Sequence, residues 1–120
     1  MAAIPFHTTD WKQVPFTVHP GEHGSATWRT ITYSDLRIRM VEYSPGYLAN
    51  HWCTSGHILF CIEGSMTTEL QNGETFELRA GMSYEVSDEM SSHRTYTREG
   101  ARLFVVDGGF LKIPISQNVL

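Results

Sequence analysis

Between residues 51 and 57 the chain reads His51-Trp52-Cys53-Thr54-Ser55-Gly56-His57. On an extended strand, alternate side chains point to the same side, so His51 and Cys53 face together while Trp52 faces away. A turn at Ser55-Gly56 lets an antiparallel strand start at His57 and brings a third side chain to the same place. On a helix these three positions share no face. His93 opens a later strand after a polar loop and can supply a fourth donor from a neighbouring strand. Imidazole and thiolate both bind borderline divalent cations well, so metal binding is the chemistry these residues suit. If His51, Cys53, His57 and His93 all bind, the set of three nitrogens and one sulfur is closed and favours a structural Zn²⁺. If Cys53 stays off the metal, three neutral imidazoles leave open positions. That set suits Fe²⁺, Ni²⁺ or Zn²⁺ acting as a Lewis acid or an O₂ site. The residues leave both arrangements open. Cys53 activated by His51 or His57 as a nucleophile is a further reading, although nothing marks an oxyanion hole for it.

The other candidates have plainer roles. His7, His19 and His23 read as surface or hydrogen-bonded residues; Pro20-Gly21 prevents His19 and His23 from pairing along a helix. Cys61 sits mid-strand among apolar residues and reads as inert core. Arg37 and Arg39 alternate with Leu36, Ile38 and Met40, which makes a solvated face the default for the arginines. If that face turns inward, they reach an anionic ligand instead. Glu63, just before Gly64, is expected to face solvent at a turn.

The elements that must hold these residues are strands. No window repeats apolar residues at helical spacing; short β-rich runs recur between Gly, Pro, Asn and Asp. The predicted strands are Trp28 to Tyr33, Leu36 to Tyr43, Tyr47 to Cys53, His57 to Glu63 (ended by Gly64) and Ser65 to Leu70. Thr75 to Leu78, Met82 to Val86, His93 to Thr97 and Ala101 to Asp107 complete the set. Asn72-Gly73 is the strongest hairpin signal, since both residues accept left-handed backbone. So many short strands at this spacing predict an antiparallel all-β sandwich or barrel such as a jelly roll. Residues 1–24, with Pro5, Pro15, Pro20, Gly21 and Gly24, read as an irregular arm. Residues 28–107 read as the barrel and 108–120 as a covering tail. In His57 to Glu63 one face carries His57, Leu59 and Cys61, and the other Ile58, Phe60 and Ile62. Both faces therefore need a cover. For the second face that cover is either the chain's own arm or a second copy in a homodimer.

Length and composition set the outer bounds. With 120 residues, 41% of them hydrophobic and 18% charged, the chain forms one domain, residues 1–120, with one core. A net charge of −4 argues against nucleic-acid binding and against a polybasic membrane surface. The longest wholly apolar run, Ile58 to Ile62, is too short to cross a bilayer. The start of the chain has neither a cationic segment nor a long apolar segment of the signal-peptide kind. Two cysteines give no disulfide framework, and a reducing cytoplasm is the expected location.

From Gly46 to His93 the chain resembles the cupin superfamily of small metal-binding jelly rolls. The first cupin motif has Gly, a His-x-His pair, then Glu after a short gap, six residues and Gly. Here His51 and Cys53 take the pair, His57 falls at the Glu position, and Ile58 to Glu63 lead to Gly64. The second motif is matched by Gly81 and His93, with Ser87 where Pro is usual and Thr97 at the usual Asn. The chain is also similar to a narrower group of small bacterial proteins, the DHCW-motif cupins. That likeness lies in the stretches Leu36 to Gly46, Asn50-His51-Trp52-Cys53, Gly56-His57, Glu63-Gly64, Ser87-Asp88-Glu89 and Ser92-His93-Arg94. Asn50 stands where the label has Asp. The resemblance implies a cupin jelly roll with a divalent metal (zinc, iron or nickel) at His51, His57 and His93, and Cys53 as a fourth ligand or hydrogen-bonded to one. It implies either an oxygenase or isomerase acting on a small polar molecule, or a non-catalytic module that senses a ligand or carries structural zinc.

Overall fold

Alternating β-rich runs, broken by Gly, Pro and Asn turns, yield eight strands and no α-helix among residues 3–112, the part of the chain that the computed structural model describes. The strands are β1 (Phe16–Pro20), β2 (Ser25–Tyr33), β3 (Leu36–Tyr43), β4 (His57–Leu70), β5 (Thr75–Arg79), β6 (Ser83–Val86), β7 (His93–Tyr96) and β8 (Ala101–Gly108). All pairings are antiparallel, in the order β1-β2-β3-β8-β4-β5, with β6 and β7 also on β4. The predicted all-β architecture is the one observed.

β4 organises the barrel. Its first half pairs with β8 and β6, and its second half with β5 and β7. Gly64 was expected to end a strand, but the chain runs through it. A bulge between Cys61 and Glu63 precedes it, and Gly64 itself takes φ +79. The Gly100 carbonyl oxygen fills the space a Cβ would need there. A glycine inside a strand lets it bend and approach a neighbour closely, so one strand serves two sheets. The Asn72-Gly73 hairpin forms as predicted, joining β4 to β5 with Gly73 at φ +94.

Three further expectations are corrected. Residues 1–24 are not wholly irregular, because Phe16–Pro20 pairs with β2. Tyr47 to Cys53 forms no strand; isolated bridges at Leu48 and Cys53 and scattered hydrogen bonds tie it to its neighbours. The solvated default for Arg37 and Arg39 is reversed. On β3, Arg39 and Val41 are buried, while Leu36, Ile38 and Met40 turn to the outer face. The reason lies across the sheet: the β3–β8 register sets Arg37 opposite Asp107, and both guanidiniums reach its carboxylate. An ion pair with hydrogen bonds is what makes burying such charge tolerable. Of the expected tail, Gly109–Leu111 forms a short 3-10 turn, and 113–120 lie outside the described residues.

The core sits between the two halves of β4. Met66, Leu103 and Cys61 are its largest fully buried side chains, and Leu59, Val105 and Ala26 join them. His57, Leu59 and Cys61 point inward as read from the sequence. On the outer face, the N-terminal residues cover Ile31, Ile38 and Phe104, with Trp11 edge-on to Phe104 at 6.3 Å. Ile58, Phe60 and Ile62 remain 40%, 43% and 36% exposed.

Candidate metal centre

Three separate pieces of chain deliver the site. His57 begins β4, opposite Val86 of β6. Its start is fixed by Gly56, whose N–H donates to Asp88 Oδ1 at 2.5 Å. Backbone atoms of Val86, Ser87 and Asp88 occupy the place of a Cβ at Gly56, so only glycine fits. Cys53 lies outside any strand, yet it exchanges two backbone hydrogen bonds with His93, at 2.8 and 3.0 Å. That single bridge does the work of the strand expected there and sets the thiol beside the first ring of β7.

Cys53 Sγ and one ring nitrogen from each of His57 and His93 lie within 4.8 Å of one another. Sγ is 3.7 Å from His57 Nε2. The two rings stand edge to face at 79°. Each Nδ1 is already committed: His57 donates to Asp107 Oδ2 at 2.9 Å, and His93 donates to the Ser91 carbonyl at 3.0 Å. Carboxylate and carbonyl oxygens only accept, so both Nδ1 atoms carry a proton, and each ring when neutral keeps its lone pair on Nε2. His93 Nε2 is buried and has no partner among the described residues. Such an acceptor costs about 1–3 kcal/mol when nothing fills it. A sulfur and two imidazole nitrogens around one point, their outer nitrogens anchored, are a donor set that fits a borderline divalent cation. The residues therefore fit a metal.

Electrostatics point the same way. The His57 ring nitrogen at 3.7 Å, and then the nearby His93 ring, outweigh burial and lower the Cys53 thiol to about 5, so the sulfur is a thiolate at neutral pH. Burial alone would lower His57, but Asp107 and the thiolate outweigh it and raise the imidazole. Burial alone would raise Asp107, yet the hydrogen bonds from His57 and Arg37 and the charge of Arg39 hold it well below the usual carboxylate range. Asp107 accepts from Arg37 Nε at 2.8 Å on one oxygen. On the other it accepts from Arg37 Nη2 at 3.1 Å, Arg39 Nη2 at 2.8 Å and His57. Burial pushes the Tyr43 and Tyr84 phenols up, so both stay neutral beside the site.

Of the four residues read from the sequence, the structure gathers Cys53, His57 and His93. His51 is exposed, its Nδ1 lies 2.7 Å from Asn50 Oδ1, and it stands outside the three-donor group while lining the mouth of the same cavity. That cavity has a volume of about 270 Å³. His7 meets the Tyr33 hydroxyl, His19 stacks on Trp28 and His23 is bridged to Leu48. Sequence reasoning missed Asp107. Its signal was available: Asp107 continues the inward alternation Ala101, Leu103, Val105, where an acid needs a partner.

No family model matches the chain, and no curated protein matches it by sequence. Solved structures do. An RmlC-like cupin from Shewanella frigidimarina is 16% identical, with a TM-score of 0.66 over 97% of each chain. A sugar phosphate isomerase of the cupin superfamily from Silicibacter pomeroyi is 15% identical, with a TM-score of 0.67 over 86% of this chain and 76% of that one. Fe(II)-HppE in complex with an alternative substrate is 13% identical, with a TM-score of 0.68 over 85% of this chain and 60% of that one. The chain has the cupin jelly-roll fold.

Proposed function

We propose that this chain is a metal-dependent cupin enzyme in which Cys53, His57 and His93 hold a divalent cation, and that it acts on a small polar molecule by oxygenation or isomerisation. The observation that carries this reading is the buried, unpartnered His93 Nε2 beside a thiolate and a second anchored imidazole. Three protein donors are the number that catalytic sites use when a position is kept for water or substrate. When bound, such a cation supplies Lewis-acid polarisation or, as iron, O₂ chemistry. The chain's own residues do the rest. Asp107 keeps the proton on His57 Nδ1, the Ser91 carbonyl keeps it on His93 Nδ1, and the half-enclosed cavity limits water around the donors. Among the structural neighbours, one is a sugar phosphate isomerase and another carries Fe(II). We group the chain with the DHCW-motif cupins on the stretches that resemble them. Two free cysteines accord with a reducing cytoplasm.

The test is metal content. Protein purified without added metal should carry about one zinc, iron or nickel ion per chain. Cys53→Ala and His93→Ala should lose it while keeping the β-sheet circular dichroism of the parent. Wild-type protein that stays metal-free after incubation with Zn²⁺ and with Fe²⁺ under reducing conditions would overturn the proposal. Iron selects the oxygenase branch. Zinc together with full closure of the coordination sphere by protein atoms selects the non-catalytic module.

We further propose a homodimer through the exposed Ile58, Phe60 and Ile62 on the outer face of β4. A dimer should appear in light scattering at micromolar concentration, and Phe60→Asp should convert it to monomer. A wild-type monomer under those conditions argues against it.

A further inference from the structure

The chain is acidic overall, with a net charge of −4, but the wall of the 270 Å³ cavity is not. Arg37, Arg39 and Arg94 line it, and no Asp or Glu among the described residues does. Arg94 reaches outward to Glu69. Arg37 and Arg39 share the single carboxylate of Asp107, which stands behind them with its accepting positions filled by these two and His57. Two buried or half-buried guanidiniums against one carboxylate leave a positive surplus, because Cys53 and His57, which share one proton between Sγ and Nε2 at 3.7 Å, are neutral in sum wherever that proton sits. A divalent cation held partly by one thiolate adds to it.

Arg39 carries that surplus. It is 5% exposed, and its one hydrogen bond among the described residues is from Nη2 to Asp107. Its Nε is buried with no partner among those residues. Its guanidinium lies over the Trp28 ring at 4.3 Å, which fixes the plane and leaves the in-plane N–H edges for a ligand. Arg39 and His57 contact the same Asp107 oxygen, so only that atom separates the guanidinium from the imidazole of the donor group. A planar donor fork with unused N–H groups, in a cavity free of acids, is suited to an oxyanion.

We infer that Arg39, backed by Arg37, forms an anion-binding subsite in this cavity, and that the substrate carries a carboxylate or phosphate group seated on Arg39 with its reacting end toward Cys53, His57 and His93. This deepens the proposed function and rests on it for the reacting end. The anion subsite itself requires no metal. The cavity lies near the lower limit for small-molecule sites, so the partner is a compact molecule of a few carbons.

The probes are malonate, 2-oxoglutarate and inorganic phosphate at constant ionic strength, with chloride as the control. Each is titrated against chelator-treated and Zn²⁺-loaded protein. Intrinsic tryptophan fluorescence, to which Trp28 beside Arg39 contributes, and thermal midpoint are the readouts, and Zn²⁺ uptake is measured in parallel. At least one probe should bind the metal-free protein, and Arg39→Lys should weaken it about tenfold or more, because lysine keeps the charge and loses the fork. Arg39→Gln should weaken it further, with both variants keeping Zn²⁺ uptake. If Arg39→Gln fails to fold, Arg39→Lys alone decides. Preference for the carboxylates or for phosphate identifies which oxyanion the substrate bears. Three results overturn the inference: no probe binding to the metal-free protein at millimolar concentration, binding that chloride equals, or binding that Arg39→Lys leaves unchanged. Probe binding without any Zn²⁺ uptake leaves the subsite standing and overturns the metal reading instead.

Discussion

Asp107→Asn will destabilise the protein and loosen its grip on metal together. One carboxylate answers Arg37, Arg39 and His57 at once. Removing its charge leaves the guanidinium of Arg39 buried without a counterion. Breaking a buried pair from one side costs about 3–5 kcal/mol. The amide also turns one of its two acceptor atoms into a donor, facing N–H groups that can only donate. Urea unfolding of metal-free protein should show the midpoint falling with an unchanged slope. The acid limb should change too. Asp107 titrates below an ordinary carboxylate in the folded chain. Its stabilisation is therefore complete above the unfolded value of about 3.9 and is lost as the pH falls toward the lower folded value. The variant should lack that part of the acid loss. Zn²⁺ affinity should fall about 10–100-fold, since the partner that orients a ligating histidine is worth that much. Unchanged stability and unchanged Zn²⁺ affinity would show that the carboxylate holds neither the arginines nor the ring.

How much of this was legible in the sequence follows from the range over which each signal acts. Strand type is local. Alternation in His57 to Cys61 and the Asn72-Gly73 turn were readable because they depend on a few neighbouring residues. Cys53, His57 and His93 were nominated by residue type and spacing, and their convergence follows from a two-bond bridge that no local pattern announces. The face of β3 was misread because its outer residues, Leu36, Ile38 and Met40, are the more apolar set. Only the register with β8 reveals Asp107 as the partner that draws Arg37 and Arg39 inside. The same long-range pairing defines the anion subsite, so the charge of the cavity could not be inferred from the charge of the chain. His51 shared the alternation of Cys53, but no strand forms at that segment to keep the two on one face.

Cys53 will react with iodoacetamide at pH 6, and bound metal will stop it. Thiolate, not thiol, is the nucleophile. The neighbouring His57 and His93 rings bring Cys53 to about 5, so most of it is thiolate at pH 6. An ordinary thiol at about 8.5 is then less than about 1% ionised. The gain in thiolate is about 300-fold. A low-pKa sulfur is also a weaker nucleophile, and a Brønsted slope of about 0.4–0.5 returns roughly 40-fold of that gain. The net expectation is a rate about tenfold above a free thiol at pH 6, crossing below it by pH 8.5. The diagnostic feature is therefore the shape: a nearly flat rate between pH 6 and 8, where a free thiol rises steeply. Cys61 will stay unlabelled in the folded protein, because it is fully buried and burial pushes its thiol up. Peptide mapping by mass spectrometry assigns the alkylated residue. Stoichiometric Zn²⁺ should suppress labelling of Cys53, since a coordinated sulfur lone pair is no longer available to attack. Chelator should restore it, and His93→Ala should weaken the protection. A rate that climbs tenfold per pH unit would show an ordinary thiol. Labelling indifferent to Zn²⁺ in protein that has taken up the ion would place the metal elsewhere and remove Cys53 from the site.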